Sequence, residues 1–160
     1  MGPLVGAIRL PDGPPVRGRG RREPLPAGPL PEHALHLGSP PSPHRAGWHL
    51  PGRADRPVDR PVDWPVEWID WPDFRVPRDD VSAAAAIERA YLLARGGRLV
   101  EVTCGGGNGR TGTVIACMAV LAGHPADDAV AWTRRNYRRH AVETPGQRQW
   151  VRRFARDHAP

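Results

Sequence analysis

Two residues in this chain could do chemistry together at once: Cys104 and Arg110, separated by Gly105, Gly106, Gly107, Asn108 and Gly109. A loop this short that runs into a helix N-terminus turns its backbone N–H groups inward and cradles an anion. Glycine makes the required positive φ angles inexpensive. Arg110 would open the helix and offer a bidentate fork to two phosphate oxygens. Cys104 would lie at the cradle's floor. The helix dipole, the inward amides and Arg110 all favour its thiolate, so its pKa is expected below the free-thiol value of about 8.5. A thiolate beneath a bound phosphate is a nucleophile aimed at phosphorus.

The flanking residues must position that loop. Leu99, Val100 and Val102 favour a short buried strand. Val114, Cys117, Met118 and Leu121 follow at helical spacing. A nucleotide-binding loop, Gly-x4-Gly-Lys-Ser/Thr, fits less well. With Gly109-Arg110-Thr111 as its end, Cys104 replaces the first glycine and Arg110 the lysine. A glycine-rich turn around a buried cysteine is the plain alternative, and the strand-loop-helix context counts against it.

The segment Cys104-x-x-Gly107-x-Gly109-Arg110-Thr111-Gly112 resembles the signature loop of the cysteine-dependent protein tyrosine and dual-specificity phosphatases, here as a bacterial member. The resemblance implies that Cys104 forms a thiophosphoryl intermediate, that Arg110 and the residues Gly105 to Gly109 hold the phosphate, and that Thr111 steadies the departing thiolate. One departure is Thr103, where the family usually has histidine; slower chemistry is the expected consequence. Trp68-Ile-Asp-Trp-Pro-Asp-Phe-Arg-Val-Pro77 resembles the family's mobile Trp-Pro-Asp loop. The leaving oxygen needs a proton that a thiolate cannot give. The resemblance assigns that task to Asp73, which would then activate the hydrolytic water. Asp70 is the reserve candidate. The rival role for Asp73, capping the next helix, is weakened because Asp79 and Asp80 can serve.

Asp79 or Asp80 is expected to start a helix through Val81, Ile87 and Tyr91, ended by Gly96-Gly97. Strand, helix and strand in this order imply a parallel α/β sheet. Ala126 to Tyr137 reads as another helix, with Arg134, Arg135, Arg138 and Arg139 as its solvated basic end. His124 reads as a neighbour of its N-cap. A last helix runs through Trp150, Val151 and Phe154. Gln147 and Glu143 fall where the family's tyrosine-specific branch has water-positioning glutamines. A capping box of Thr144 with Gln147 ranks ahead of that role. Cys117 reads as a core residue rather than a resolving thiol.

The front of the chain is different. Of the 20 prolines, 16 precede Asp73, so few helices are expected there. Leu4 to Leu10 and Ala34 to Leu37 are candidate strands, the first closed by the turn Pro11-Asp12-Gly13. The Gly-Arg run from Val16 to Arg22 reads as a solvated strand edge or turn, ahead of an RNA-binding segment. Pro40 to Arg53 reads as loop. Arg56-Pro-Val-Asp, Arg60-Pro-Val-Asp and Trp64-Pro-Val-Glu repeat every four residues, a pattern that suits an extended spacer.

All 23 basic residues are arginine, and the net charge is +6, which suits an anionic ligand without naming it. Two cysteines make no disulfide framework and fit a reducing cytoplasm. No signal peptide, membrane span, myristoylation site or metal-ligand spacing is read, and no cofactor is called for.

These readings give an α/β fold, with a phosphotyrosine-phosphatase-like, mostly parallel central sheet and helices on both faces. Residues 1–65 are expected as a Pro/Arg-rich segment with short strands, partly packed on the core, and residues 66–160 as the catalytic core. The expected activity is hydrolysis of phosphotyrosine, or of phosphomonoesters with dual specificity, on protein or peptide substrates. The neutral loop residues Gly105, Gly106 and Asn108 argue against a highly charged lipid headgroup. Neither a nucleic-acid partner nor a membrane is expected, and the oligomeric state stays open. The alternatives are a phosphate-binding protein without turnover and an RNA 5′-phosphatase using the same loop.

Overall fold

The computed structural model describes residues 2–40 and 62–160. The reading of Pro40 to Arg53 as loop, and most of the four-residue repeat, falls outside them from residue 41 to 61. Five strands and four helices follow in the order β1 (Ile8–Arg9), β2 (Pro15–Gly20), β3 (His33–Gly38), β4 (Val66–Asp70), α1 (Asp80–Arg95), β5 (Val100–Cys104), α2 (Gly109–Leu121), α3 (Ala129–Asn136) and α4 (Pro145–His158). The sheet order is β1-β2-β5-β3-β4. Only the β1–β2 pair is antiparallel; β2, β5, β3 and β4 run parallel. β5 lies in the middle, and its carboxyl end delivers Cys104 into the loop, where ligands of open α/β sheets bind.

Each element has a local cause. β5 is buried along its whole length, as a short β-branched run between two parallel neighbours should be. β4 begins directly after Pro65 and sits at the sheet edge, where a preceding proline costs no ladder bond. Asp79 caps α1 by accepting from Ser82 N at 3.0 Å, and Gly97 beyond its end has φ +89°. The alanine-rich face of α1, with Ile87 and Tyr91, packs into the core. α2 is buried almost throughout and touches β5, α1, α3 and α4. No helix of the described residues is long and apolar enough to cross a membrane.

Two expectations at the front of the chain need correction. Leu4 to Leu10 is not one strand: Ala7 N donates to Leu4 O at 3.0 Å and Gly6 has φ +83°, so a turn leaves only Ile8–Arg9 extended. The Gly-Arg run is not a solvated edge. It is β2, paired along its length with β5. Its glycines face tight neighbours: a Cβ on Gly18 would lie 2.5 Å from the Tyr137 ring, and one on Gly20 2.8 Å from the Gly106 backbone. Its arginines face Glu101, which is wholly buried. Arg17 Nε donates to Glu101 Oε2 at 2.6 Å and Arg19 Nη2 to Oε1 at 2.9 Å. Two cations around one carboxylate make this burial tolerable; removing either partner would strand a buried charge. Within β2, alternation thus sends Gly18 to Tyr137 and Gly20 to the loop, and Arg17 and Arg19 to Glu101.

Candidate active site

The backbone from Cys104 to Arg110 folds as the spacing requires. Gly107 has φ +79°, and its N–H donates to Cys104 Sγ at 3.1 Å. Three successive carbonyls point away from the bowl and are tied down there. Gly105 O accepts from Arg22 N at 3.3 Å, Gly106 O from Arg138 Nη1 at 3.1 Å, and Gly107 O from Tyr137 Oη at 2.5 Å. Carbonyls fixed outward leave amides turned inward, the geometry of an anion nest. A Cβ at Gly107 would lie 2.5 Å from Gly20 N, so β2 supports the loop by backbone contact.

Arg110 is 8% exposed. Its Nη1 donates to Trp71 O at 3.0 Å and to Leu37 O at 3.3 Å, and its Nη2 lies 3.3 Å from Asp73 Oδ1. Arg110 Nε and Thr111 Oγ1 are buried with no hydrogen-bond partner among the described residues. Unpaired buried donors beside an anion nest are groups that a phosphate oxygen would satisfy.

The segment that carries Asp73 lies against this cluster. Trp71 is fully buried and packs on Trp150. Its Nε1 donates to Arg75 O at 2.6 Å, which folds residues 71–75 into a turn with Phe74 at φ +60°. The tip itself is open: Phe74 is 60% exposed and the Asp73 side chain 52%. Asp73 Oδ1 also accepts from Phe74 N at 3.0 Å. Asp70, the reserve candidate, is turned to Arg78 instead, with Nε to Oδ1 at 3.2 Å.

Gln147 is wholly buried and does more than cap. Thr144 caps α4 by accepting from Gln147 N at 3.2 Å. The reciprocal bond is displaced by one residue, because Gln147 Oε1 accepts from Glu143 N at 2.9 Å. Gln147 Nε2 donates to Arg75 O at 3.2 Å. One side chain therefore joins the acid-bearing turn to the start of α4. Both Gln147 and Glu143 border the loop between Cys104 and Arg110: a Cβ on Gly109 would lie 2.6 Å from Glu143 Oε1 and 3.1 Å from Gln147 Oε1.

The basic residues at the end of α3 and just beyond it are not simply a solvated helix end. Arg134 donates to Ala141 O and Val142 O at 2.9 and 2.8 Å. Arg135 holds Asp128, and this pair with His124 lowers the Asp128 carboxyl to about 2. Arg138 grips both Gly106 O and Glu23, and its hydrogen bond holds the Glu23 carboxyl below its ordinary range. Burial pushes the Tyr137 hydroxyl well up, so it stays a neutral donor to Gly107 O. Cys117 is fully buried in α2 and burial raises its thiol far above the ordinary value, as a core residue requires. The sequence reading gives Tyr137, Arg138 and Arg21 no place at the loop; the cue was their charge or aromaticity, and their partners lie across the fold. Among the described residues, no group of three or more His, Cys, Asp or Glu could hold a metal ion.

A middle parallel strand ending in an anion nest, with a helix behind it, defines a phosphotyrosine-phosphatase-like α/β fold. Residues 77–158 match the model of the PTP-SAK family, described as a Swiss Army Knife protein, DSP-PTPase phosphatase domain, and the chain belongs to that family. The Trp71-Pro72-Asp73 segment lies just ahead of the matched span. A curated relative, the uncharacterized protein MJECL20 of Methanocaldococcus jannaschii, is 43% identical over 58 residues, which are 36% of this chain and 38% of that protein. Among solved structures, Tk-PTP in the active form superposes with a TM-score of 0.61 at 24% identity, over 94% of this chain and 97% of that one. PTPN18 bound to HER2 phosphopeptides superposes at 0.60 with 18% identity, over 95% and 69%. These likenesses concern the fold.

Proposed function

We propose that the chain is a cysteine-dependent phosphomonoester hydrolase that acts on phosphotyrosine in proteins or peptides. The Cys104 thiolate attacks phosphorus while the bond from phosphorus to the leaving oxygen breaks. The Asp73 carboxyl gives that oxygen its proton. Water then attacks the phosphocysteine, Asp73 takes the water's proton, and the Cys104 thiolate departs with inorganic phosphate released. Arg110 and the inward amides of residues 105–109 hold the phosphoryl oxygens through both displacements, the largest electrostatic contribution expected in such a site. Thr111 Oγ1 is the donor for the departing sulfur.

One observation carries this reading. The Asp73 carboxylate sits 3.3 Å from the same Arg110 guanidinium that closes the phosphate nest, although the two residues are far apart in the chain. It sets the candidate acid beside the anion clamp, within reach of a leaving oxygen on a phosphoryl group held there. The neutral loop residues and the resemblance of the Trp-Pro-Asp-Phe segment favour phosphotyrosine. The RNA reading loses its main support, because Arg17 and Arg19 are committed to Glu101. Two free thiols suit a reducing cytoplasm.

The test is hydrolysis of p-nitrophenyl phosphate and of phosphotyrosine, phosphoserine, phosphoinositide and 5′-phosphorylated RNA substrates by the full chain. Turnover of the aryl phosphate and the phosphotyrosine peptide is expected, and Cys104→Ser should lower it by about a thousandfold or more. Tight binding of phosphopeptide with no phosphate released would overturn the reading in favour of a phosphate-binding protein.

A further inference from the structure

The residue before the candidate nucleophile is Thr103, and its side chain faces an arginine. Arg21 Nη1 donates to Thr103 Oγ1 at 3.2 Å and to Thr103 O at 3.0 Å, while Arg21 Nη2 donates to Leu37 O at 3.2 Å. The Arg21 backbone N–H donates to Cys104 O at 2.8 Å. The guanidinium also lies over the Trp68 ring, 5.2 Å from its centroid. β5, β3 and β4 thus hold one cation at the carboxyl edge of the sheet.

That cation stands beside Arg110. Leu37 O accepts from Arg21 Nη2 and also from Arg110 Nη1, at 3.2 and 3.3 Å. A Cβ on Gly38 would lie 3.1 Å from Arg21 Nη2 and 3.6 Å from Arg110 Nη1. Two like charges sharing one carbonyl repel each other, and an anion between sulfur and guanidinium relieves that repulsion. The geometry points to Arg21 as a positioning residue for this site: it fixes Thr103 and, through Leu37 O, Arg110, and it adds a second positive charge beside the proposed anion clamp. This rests on the roles proposed for Cys104 and Arg110.

Other charged groups border the same loop. They are Arg110 and Asp73 in front, Arg22 against Gly105, Tyr137 and Arg138 with Glu23 behind Gly106 and Gly107, and Glu143 against Gly109. Glu101 lies on the neighbouring face, already matched by Arg17 and Arg19. His36 packs on Trp68, and burial holds it to about 4, so it is neutral through the range of interest.

The experiment follows iodoacetamide alkylation of Cys104 at fixed pH, read by peptide mass spectrometry, and its protection by inorganic phosphate in the full-length wild type, Arg21→Gln and Arg21→Lys, with kcat and KM on p-nitrophenyl phosphate measured alongside. Arg21→Lys keeps the charge but loses the fork, and phosphate should protect it several-fold more weakly than wild type. Arg21→Gln loses the charge as well, and protection should fall further, with KM raised more than kcat is lowered. Unaltered phosphate protection in Arg21→Lys overturns the positioning role, and this arm decides alone should Arg21→Gln not fold. Equal protection in the two variants overturns the charge role. A wild type that phosphate protects yet turns over no substrate would sink the proposed hydrolase while leaving Arg21 its role.

Discussion

The two halves of the candidate site are built in opposite ways. The candidate phosphate loop is fixed from behind: β2 touches its backbone, Tyr137 and Arg138 hold its carbonyls, and Gly107 N ties the sulfur. The turn that carries Asp73 is fixed chiefly at its root, through buried Trp71 and the two donors on Arg75 O, and its tip stands half open to solvent with one contact to Arg110. The lesson is a division of labour. In the proposed reaction, amides that stabilise charge must not reorganise, whereas an acid that admits substrate and later water has to be able to move.

The sharpest way to break the contrast is to spoil the rigid half. Gly107→Val would meet both a positive φ and the Gly20 backbone at 2.5 Å. Turnover of p-nitrophenyl phosphate should fall by about 10³-fold through misdirected donors, with about 1–3 kcal/mol of stability lost to strain, read by urea unfolding. The open half should break more gently. Asp73→Asn is expected to lower kcat on a phosphotyrosine peptide by about 10²-fold. The loss should shrink on aryl phosphates whose leaving group needs no proton, while phosphate binding is kept. Equal losses on both substrates would assign Asp73 to the clamp rather than to proton transfer.

Gln147→Ala tests the link between the halves. Its Nε2 leaves Arg75 O with Trp71 as the remaining donor, so kcat should fall by about tenfold with KM little changed. An unchanged kcat would reduce Gln147 to a helix cap. The smallest effect concerns stability under the site. Burial depresses His36 to about 4, below the ordinary histidine value of about 6.5. Between those values the unfolded chain binds more protons than the folded one, so stability is lost as pH falls through that window. Thermal unfolding from pH 7 to 4.5 should show a falling Tm, with a shallower fall in His36→Phe.

What could be read in the sequence was what local spacing controls. The strand, loop and helix around Cys104, the helix capped by Asp79, and the Trp-Pro-Asp turn all sit where residue order put them, because each is closed by neighbours a few positions away. The reading failed where a side chain's partner is distant. The Gly-Arg run carries charges that only Glu101, 84 residues beyond Arg17, makes compatible with burial. Arg21 and Tyr137 act on the loop through contacts that no local pattern announces. The displaced bond of Gln147 to Glu143 N depends on the chain's path at Val142, where φ is +62°, not on capping preference alone.

The claim on which the account stands is that sulfur, not water, attacks phosphorus first. Acid quenching of the enzyme during rapid turnover of p-nitrophenyl phosphate, followed by peptide mass spectrometry, tests it directly. The account predicts one phosphoryl group on the peptide that contains Cys104, formed with a burst of nitrophenolate that approaches one equivalent per chain. Steady turnover with no burst and no phosphorylated cysteine would contradict it.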